Sequence, residues 1–364
     1  MSSAQSGAGT TPQDLTDGDD PRVRVSARRL RERISEVLVA AGAPTTHADL
    51  QADLLTEAEL RGHASHGLLR LPRLVARIAN GVLDPAATGS HRWAKPALLV
   101  TDGEDGFGPV IAFAALDRLT ARARETGSAT AVISGNNHLG MLAYYADHVA
   151  RRGQVLIATT STEALVHPWG GREALVGTNP IAIGVPADPE PLVLDMATSR
   201  VSAGKIRHHA GRGQPIPEGW ALDAVGNPTT DAAAAVDGAL APFGGAKGYG
   251  LAVALGALTG ALTASALGRD VTGTLSDKAP NTKGDVFVVV EVPASARRAV
   301  GAYLQTLRSS NPSDPANPVS VPGDGGLRRR TAALHDGVVL SAELWQRIRA
   351  LDPTTSPDHA KDTR

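Results

Sequence analysis

Val155 to Ser199 reads VLIATTSTEALVHPWGGREALVGTNPIAIGVPADPEPLVLDMATS, and the punctuation of this stretch decides the fold. Three short apolar runs, VLIATT, IAIGV and LVLD, are separated by turns rich in Gly, Pro and Asn, with few helices between them. Strands that follow strands in this way predict a largely antiparallel or mixed sheet rather than a doubly wound parallel one. The same window holds residues that a plain core strand does not need: a WGG turn, a GTNP turn, and Asp195 closing LVLD before MATS. Just upstream stands NNHLG, Asn136 to Gly140. Loops of this kind, hung on short strands, are where binding and catalytic groups usually sit.

Working outward, Ala97 onward and ATAVISG read as strands flanking a helix from Val110 to Thr126 that Gly127 stops, and Leu139 to Arg152 reads as the next helix. Toward the N-terminus, Ser26 caps a helix with the stripe Leu30, Ile34, Val37 and Leu38, ended by Gly42. A second opens at Thr46 and stops at Gly62, and a third is capped by Ser65, tolerates Pro72 and closes at Gly81. Downstream, Pro217 to Asp231 is a turn-rich excursion, DVFVVVEV from Asp285 is a strand, and Ala294–Arg308 and Ser341–Leu351 are helices. Tyr249 to Gly268 has no charge, yet its many small and hydroxylated residues make it a poor membrane span. It reads as a buried helix with Leu251, Leu255, Leu258 and Leu262 on one face and Gly256 and Gly260 on a small face. Met1 to about Arg22 and the last dozen residues read as polar tails.

At 364 residues the chain exceeds the ~250 at which single cores stop growing, so more than one lobe is expected. A formal charge of −1 gives no electrostatic footprint for nucleic acid or an anionic membrane surface. The absence of cysteine removes disulfides, thiol nucleophiles and Cys-ligated zinc together. No basic start with an apolar run follows Met1, so a cytoplasmic location is expected. There is no GxGxxG after a strand, no GxxxxGK[ST], no HExxH and no GxSxG, so Ser65 has no nucleophile elbow and a hydrolase reading is weak.

Several residues carry two readings. Ser65, His66 and Arg70 lie at an expected helix start, where free N–H groups favour an anion and Arg70 offers a bidentate grip; locally, a capping Ser65 and a surface His66 is the plainer reading. His63 and His66 are spaced like a metal pair, but no third ligand follows, so no metal is expected. His138 suits an acid or base, or marks amides facing a phosphate, or is a turn histidine. Asp195 is equally a ligand-orienting carboxylate or a structural turn residue. Lys247, in GGAKGYG, is a phosphate contact or a turn lysine.

Taken together, SHG with a following Arg, NNHLG, PWGG, GTNP, DMATS, PEGWALD, GGAKGYGL and VPGD resemble, in order and over roughly Val25 to Leu351, the malate/L-lactate dehydrogenase family that is distinct from the Rossmann enzymes. That family includes ureidoglycolate dehydrogenase, diketogulonate reductase and piperideine/pyrroline-2-carboxylate reductases. The resemblance implies an α/β (α+β) protein whose NAD(P)-binding domain is non-Rossmann with a largely antiparallel or mixed sheet, joined to a helical N-terminal region and a dimerisation domain. The division it implies is a tail at 1–22, a helical region at 23–82, a dimerisation and substrate domain at 83–152 and 295–352, a cofactor domain at 153–294 and a tail at 353–364. It further implies a homodimer acting on a small carboxylate with NADP or NAD. By motif match, Ser65, His66, Asp195 and His138 would be catalytic, with Arg70, His138 and the position of Leu74 at the substrate. His138, Leu139, Gly140, Thr160, Ser161, Thr178, Asn179, Asp195, Met196, Ala197, Thr198, Lys247, Gly248, Gly323 and Asp324 would line the cofactor. Three positions depart from the family pattern: Leu74 replaces a common Tyr, Gly256 a usual Glu, and Asn136 the Ser of SNH. The expected activity is hydride transfer between nicotinamide and the carbon next to a carboxylate, as a 2-oxo/2-hydroxy acid or cyclic imine/amino acid pair. The alternative expectation is a member that kept the fold as a binding or scaffold protein without redox chemistry.

Overall fold

A computed structural model describes residues 22–351; the expected tails, apart from Arg22, lie outside the described residues. Strand β1 (Arg22–Val25) leads to α1 (Ala27–Ala40), whose first turn is capped where the Ser26 hydroxyl accepts from Arg29 N–H. Leu30, Ile34, Val37 and Leu38 are buried as their spacing predicts, and Gly42 follows at φ 97°. Helix α2 (Thr45–Leu60) starts behind Pro44 and is followed by Gly62 at φ 79°. The expected third helix does not start at Ser65. Two single 3₁₀ turns, Ala64–His66 and Leu68–Arg70, precede α3 (Leu71–Ala79). The break falls at Gly67: the Glu59 carboxylate takes the Leu68 N–H at 2.6 Å and fills the space where a Cβ on residue 67 would stand.

Next come β2 (Ser90–Lys95), β3 (Leu98–Asp102), α4 (Gly108–Thr126) and β4 (Ser128–Ser134), with Gly127 ending α4 in the left-handed region. Helix α5 is shorter than expected, Ala143–Arg151, because residues 136–142 form a loop held by side-chain bonds. Strand β5 (Gln154–Thr160) is followed by the short β6 (Ala164–Val166) and β7 (Val176–Gly177), then β8 (Ile181–Val185) and β9 (Leu192–Met196). Helix α6 (Ala203–Gly211), β10 (Ala221–Leu222), β11 (Pro228–Thr229), α7 (Ala232–Val236) and β12 (Ala239–Leu240) make up the turn-rich region. The chain closes with α8 (Ala246–Thr263), β13 (Asp285–Glu291), α9 (Ala294–Arg308), α10 (Asp324–Asp336), β14 (Val338–Ser341) and α11 (Ala342–Ala350).

Seven strands form one mixed sheet in the order β2-β3-β4-β13-β5-β8-β9, antiparallel at every step except β3 to β4. The sheet draws strands from both sides of residue 152. Its core joins Leu99, Ile111, Leu116, Tyr145, Leu156 and Phe287, so α4 and α5 are anchored to it by apolar burial. A second cluster, built on Leu30, Leu38, Leu55, Leu68 and Leu71, holds the N-terminal helices and the β1/β14 pair. A five-stranded sheet, β11-β10-β12-β6-β7, carries its own small core of Val166, Ile206, Ile216, Ala221 and Leu240.

Helix α8 corrects the expectation about its faces. Gly248, Ala252, Leu255, Gly256, Thr259 and Gly260 are the buried side, packed toward β4, β5 and β13, whereas Leu258 and Leu262 are about half exposed. The small residues win the interface because their neighbours come too close for leucine: a Cβ at Gly256 would stand 2.6 Å from the Asn179 side-chain Nδ2, and one at Gly248 would stand 1.9 Å from the Phe243 carbonyl oxygen. Among the described residues no helix is long and apolar enough to cross a membrane.

Candidate active site

The 3₁₀ turns before α3 and the loop between β4 and α5 bring His66 and His138 together, with ring centroids 5.5 Å apart. Ser65 Oγ lies 2.9 Å from His66 Nδ1. His138 Nδ1 accepts from Gly140 N–H at 3.0 Å, so in the neutral ring the proton resides on Nε2 and that edge is a donor. Burial, then the Arg70 charge, hold both rings below the usual imidazole range, His66 at about 3 and His138 well below its ordinary value. Both are therefore neutral near pH 7.

Arg70 stands beside them. Its Nε donates to the Ser65 carbonyl at 2.8 Å and its Nη1 to the Thr274 carbonyl at 3.1 Å. Those two bonds fix the guanidinium plane and leave the Nη2 end for a carboxylate. Burial lowers Arg70 to about 10, with Arg73 and Arg207 adding repulsion and Glu163 opposing it, so it stays charged. Leu74, in contrast, is buried in the N-terminal helical core with Leu68 and Leu71. The structure does not bring it to the histidines, because α3 begins at Leu71 and turns that face inward.

The two asparagines before His138 are not turned toward a ligand's phosphate. Asn137 Oδ1 accepts from Arg77 Nε at 2.7 Å and its Nδ2 donates to the Asp105 carbonyl. Asn136 is fully buried and accepts from Lys283 Nζ at 3.0 Å, while that ammonium is paired with Asp285 at 2.6 Å. Sequence reading missed Lys283, Asp285, Arg77 and Glu59; an opposite-charge pair two residues apart at the start of an apolar strand was the available signal. Asp195 is tied to the helix that follows the His138 loop. Its Oδ2 accepts from Ala143 N–H at 2.8 Å, which caps α5, and burial raises it to about 6 against the pull of the Ala143 and Leu142 N–H groups.

The turns of the opening stretch converge with the start of α8. Thr198 donates to the Thr178 carbonyl through both N–H and hydroxyl, Thr178 N–H bonds Thr162 Oγ1, and Phe243 N–H bonds the Thr198 carbonyl. Asn179, at φ 23°, ties Thr162 N–H to the Ala252 carbonyl in α8. Met196 and Ala197 lie partly exposed between Asp195 and this knot, and Ser161 exchanges bonds with Gly284 next to Thr160. Lys247 is not in a turn; it is exposed in the first turn of α8, beside buried Gly248. Leu139 is buried and its carbonyl receives the Tyr145 hydroxyl, while Gly140 needs φ 72° and would collide with Leu54 if it carried a Cβ. Asp324 is occupied: Arg308 grips both its oxygens at 2.9 and 2.8 Å, and Gly323 packs on β9 through Val193.

These residues fit a nicotinamide dinucleotide. The α8 N-terminus has two positive-φ glycines, Gly244 and Gly245, no side-chain cap and an exposed lysine, which suits a diphosphate. Close by, the buried Ser199 hydroxyl has no partner. A cavity of about 490 Å³ lined by Glu163, Arg172, Asp223, Asp237 and Arg269 contains neither histidine, so the reacting groups and not the volume locate the site.

The sequence matches the malate/L-lactate dehydrogenase family model over residues 25–349. It is similar to the L-sulfolactate dehydrogenase of Methanothermobacter thermautotrophicus, 34% identical over 336 residues that cover 90% of this chain and 95% of that protein. It is also similar to the Delta(1)-pyrroline-2-carboxylate reductase of Ancylobacter novellus, 33% identical over 347 residues, 93% of this chain and 100% of that protein. The crystal structure of a dehydrogenase from Sinorhizobium meliloti matches with a TM-score of 0.88 at 48% identity, over 92% of this chain and 99% of the other. A paired-histidine site on this sheet, matched along nearly the whole chain, places the protein in the malate/L-lactate dehydrogenase family as an oxidoreductase that works with a nicotinamide cofactor.

Proposed function

We propose that this enzyme moves hydride between NADP or NAD and the carbon next to the carboxylate of a small acid, either a 2-oxo/2-hydroxy acid pair or a cyclic imine/amino acid pair. The observation that carries this reading is the His66–His138 pair, 5.5 Å apart, beside a half-buried Arg70 with one free end of its fork. When bound, the nicotinamide supplies or takes the hydride. Arg70 Nη2 holds the substrate carboxylate, and His138 Nε2–H donates to the oxygen or nitrogen whose charge grows as hydride arrives. His66 exchanges the proton, with Ser65 Oγ fixing its ring. The incoming carboxylate offsets the Arg70 field and raises the proton affinity of His66, so the substrate itself readies the acid. Thr178, Asn179, Asp195 to Ser199 and Lys247 would hold the dinucleotide, with Asp195 setting the position of α5 rather than touching His66.

We also assign a homodimer in the cytoplasm, with the implied division into helical, dimerisation and cofactor regions. The half-exposed Val253, Leu258, Leu262 and Leu267 on and after α8 support a second copy covering that face. The deciding experiment is spectroscopic nicotinamide turnover on a panel of 2-oxo acids and cyclic imino acids, with calorimetric titration of NADP and NAD in turn. Turnover of a carboxylate-bearing substrate with one of the two is expected. Absence of both turnover and cofactor binding sinks the reading.

A further inference from the structure

Lys283 and Asp285 sit at the entry of β13, in the middle of the seven-stranded sheet, where Asp285 lies opposite Ile133 of β4 and Thr160 of β5. They are 2% and 0% exposed, and Lys283 Nζ bonds both Asp285 oxygens, at 2.7 and 2.6 Å. A buried pair of this kind is a poor device for stability, since an apolar pair of similar volume usually serves as well or better. The third bond of the ammonium goes to Asn136 Oδ1, two residues before His138. That bond dictates the amide orientation and leaves Asn136 Nδ2 buried without a partner, a cost the fold accepts. Asn136 cannot relax, because Gly103 packs directly on its Cα and Cβ. Further along, Gly108 packs so closely on the His138 carbonyl that a Cβ there would stand 2.3 Å from the oxygen. Every fixed point of this loop thus serves the placement of one imidazole.

We propose that Lys283 and Asp285, acting through Asn136, are positioning residues for His138: they lock the 136–140 loop so that the ring presents Nε2–H, and only Nε2–H, to the substrate. This rests on the reading above, in which His138 takes part in the reaction. The titratable and charged groups facing His138 are His66, Arg70 and Arg73 from the N-terminal turns and α3, and Lys283 from the β13 side; the three cations, and His66 if protonated, disfavour a charged ring. Asp285 is tied to Lys283, and Asp195 on β9 is tied to α5. Replacing the pair removes the ammonium that holds the Asn136 amide, and with it the bond that fixes the loop, so the form it locks becomes less dominant.

The test uses the full-length, cofactor-loaded enzyme with ¹⁵N-labelled histidine, the His138 signals being identified by their loss in His138→Gln. The wild type is expected to show a single Nε2–H tautomer from about pH 6 to about pH 9. In Lys283→Met/Asp285→Leu a second tautomer appears and kcat falls by roughly tenfold, with melting unchanged or raised. Asn136→Ser, which keeps the ion pair and cuts the link, gives the same loss of the single tautomer, and it decides the matter alone where the double variant does not fold. An unchanged tautomer and unchanged kcat, whatever the melting temperature, overturn the proposal. If the wild type turns over no carboxylate substrate, the functional reading fails, while the tautomer spectra still decide whether the pair positions His138.

Discussion

At the scale of single residues, Arg70 and the two histidines carry separable predictions. Arg70 spends Nε and Nη1 on backbone carbonyls, so a lysine there loses both the clamp and the planar fork. Arg70→Lys should raise KM by about tenfold or more with cofactor affinity unchanged, as steady-state kinetics and calorimetry will read; an unaltered KM moves the carboxylate site elsewhere. His66→Ala should lower kcat by ~10²–10⁴ with cofactor binding intact, and His138→Ala should lower kcat less, by roughly tenfold or more, while also weakening substrate or cofactor binding. The reverse pattern exchanges their roles. The motifs that hold these residues were legible in the sequence, because SHG and NNHLG are dense in groups a core does not need. Their side-chain directions were not. Nothing in NNH itself announces that Asn136 and Asn137 point into the protein, where cations 147 and 60 positions away, Lys283 and Arg77, reach them. Asp195 likewise meets Ala143 N–H, a partner that no local pattern announces.

At the scale of elements, strands were easier to place than helix faces. VLIATT, IAIGV and LVLD appear as β5, β8 and β9 because alternation and turn residues are local signals. The ends of α3 and α5 were missed where a distant carboxylate or loop bond overrides local propensity, as Glu59 does at Gly67. Helix α8 shows the limit most clearly: the sequence set a leucine face beside a small glycine face, and the structure buries the glycine face together with Leu255 while Leu258 and Leu262 stay half exposed. Gly256→Leu should therefore drive Asn179 out of place, lower the melting temperature by roughly 3–10 °C and loosen the Thr162 turn. A variant that melts like the wild type would mean that Asn179 yields without cost. On the opposite side, Leu258→Glu/Leu262→Glu should leave the fold intact and shift sedimentation toward the monomer, if the α8 face is where two copies meet. A dimer of unchanged strength removes α8 from the interface.

At the scale of the whole molecule, the histidines set the acid limit of stability. His66 at about 3, His148 at about 4 and His138 well below its ordinary value all refuse protons that the unfolded chain binds near ~6.5. Between those values the unfolded state holds more protons, so stability falls as pH falls. Asp195, raised to about 6, works in the opposite sense over part of that window, as do Glu59 and Asp105, also raised by burial, but burial lowers His63, His91 and His208 as well, so the imidazoles outnumber the carboxyls. The melting temperature should drop by about 3 °C or more from pH 7 to pH 4.5, and His148→Leu, which lies outside the site, should flatten the fall. A flat profile would mean that these rings are wetter in solution than their burial implies. The order of strands in the large sheet has a temporal meaning as well. Strand β13 fills the gap between β4 and β5, although it is made long after both. During synthesis, the ribosome releases two apolar strand edges that have no neighbour until residues 285–291 emerge, and such edges recruit other chains. From the release of Ser134 until that of Asp285 these edges stay open, so a nascent chain stalled before Asp285 is expected to aggregate rather than stand as half an enzyme.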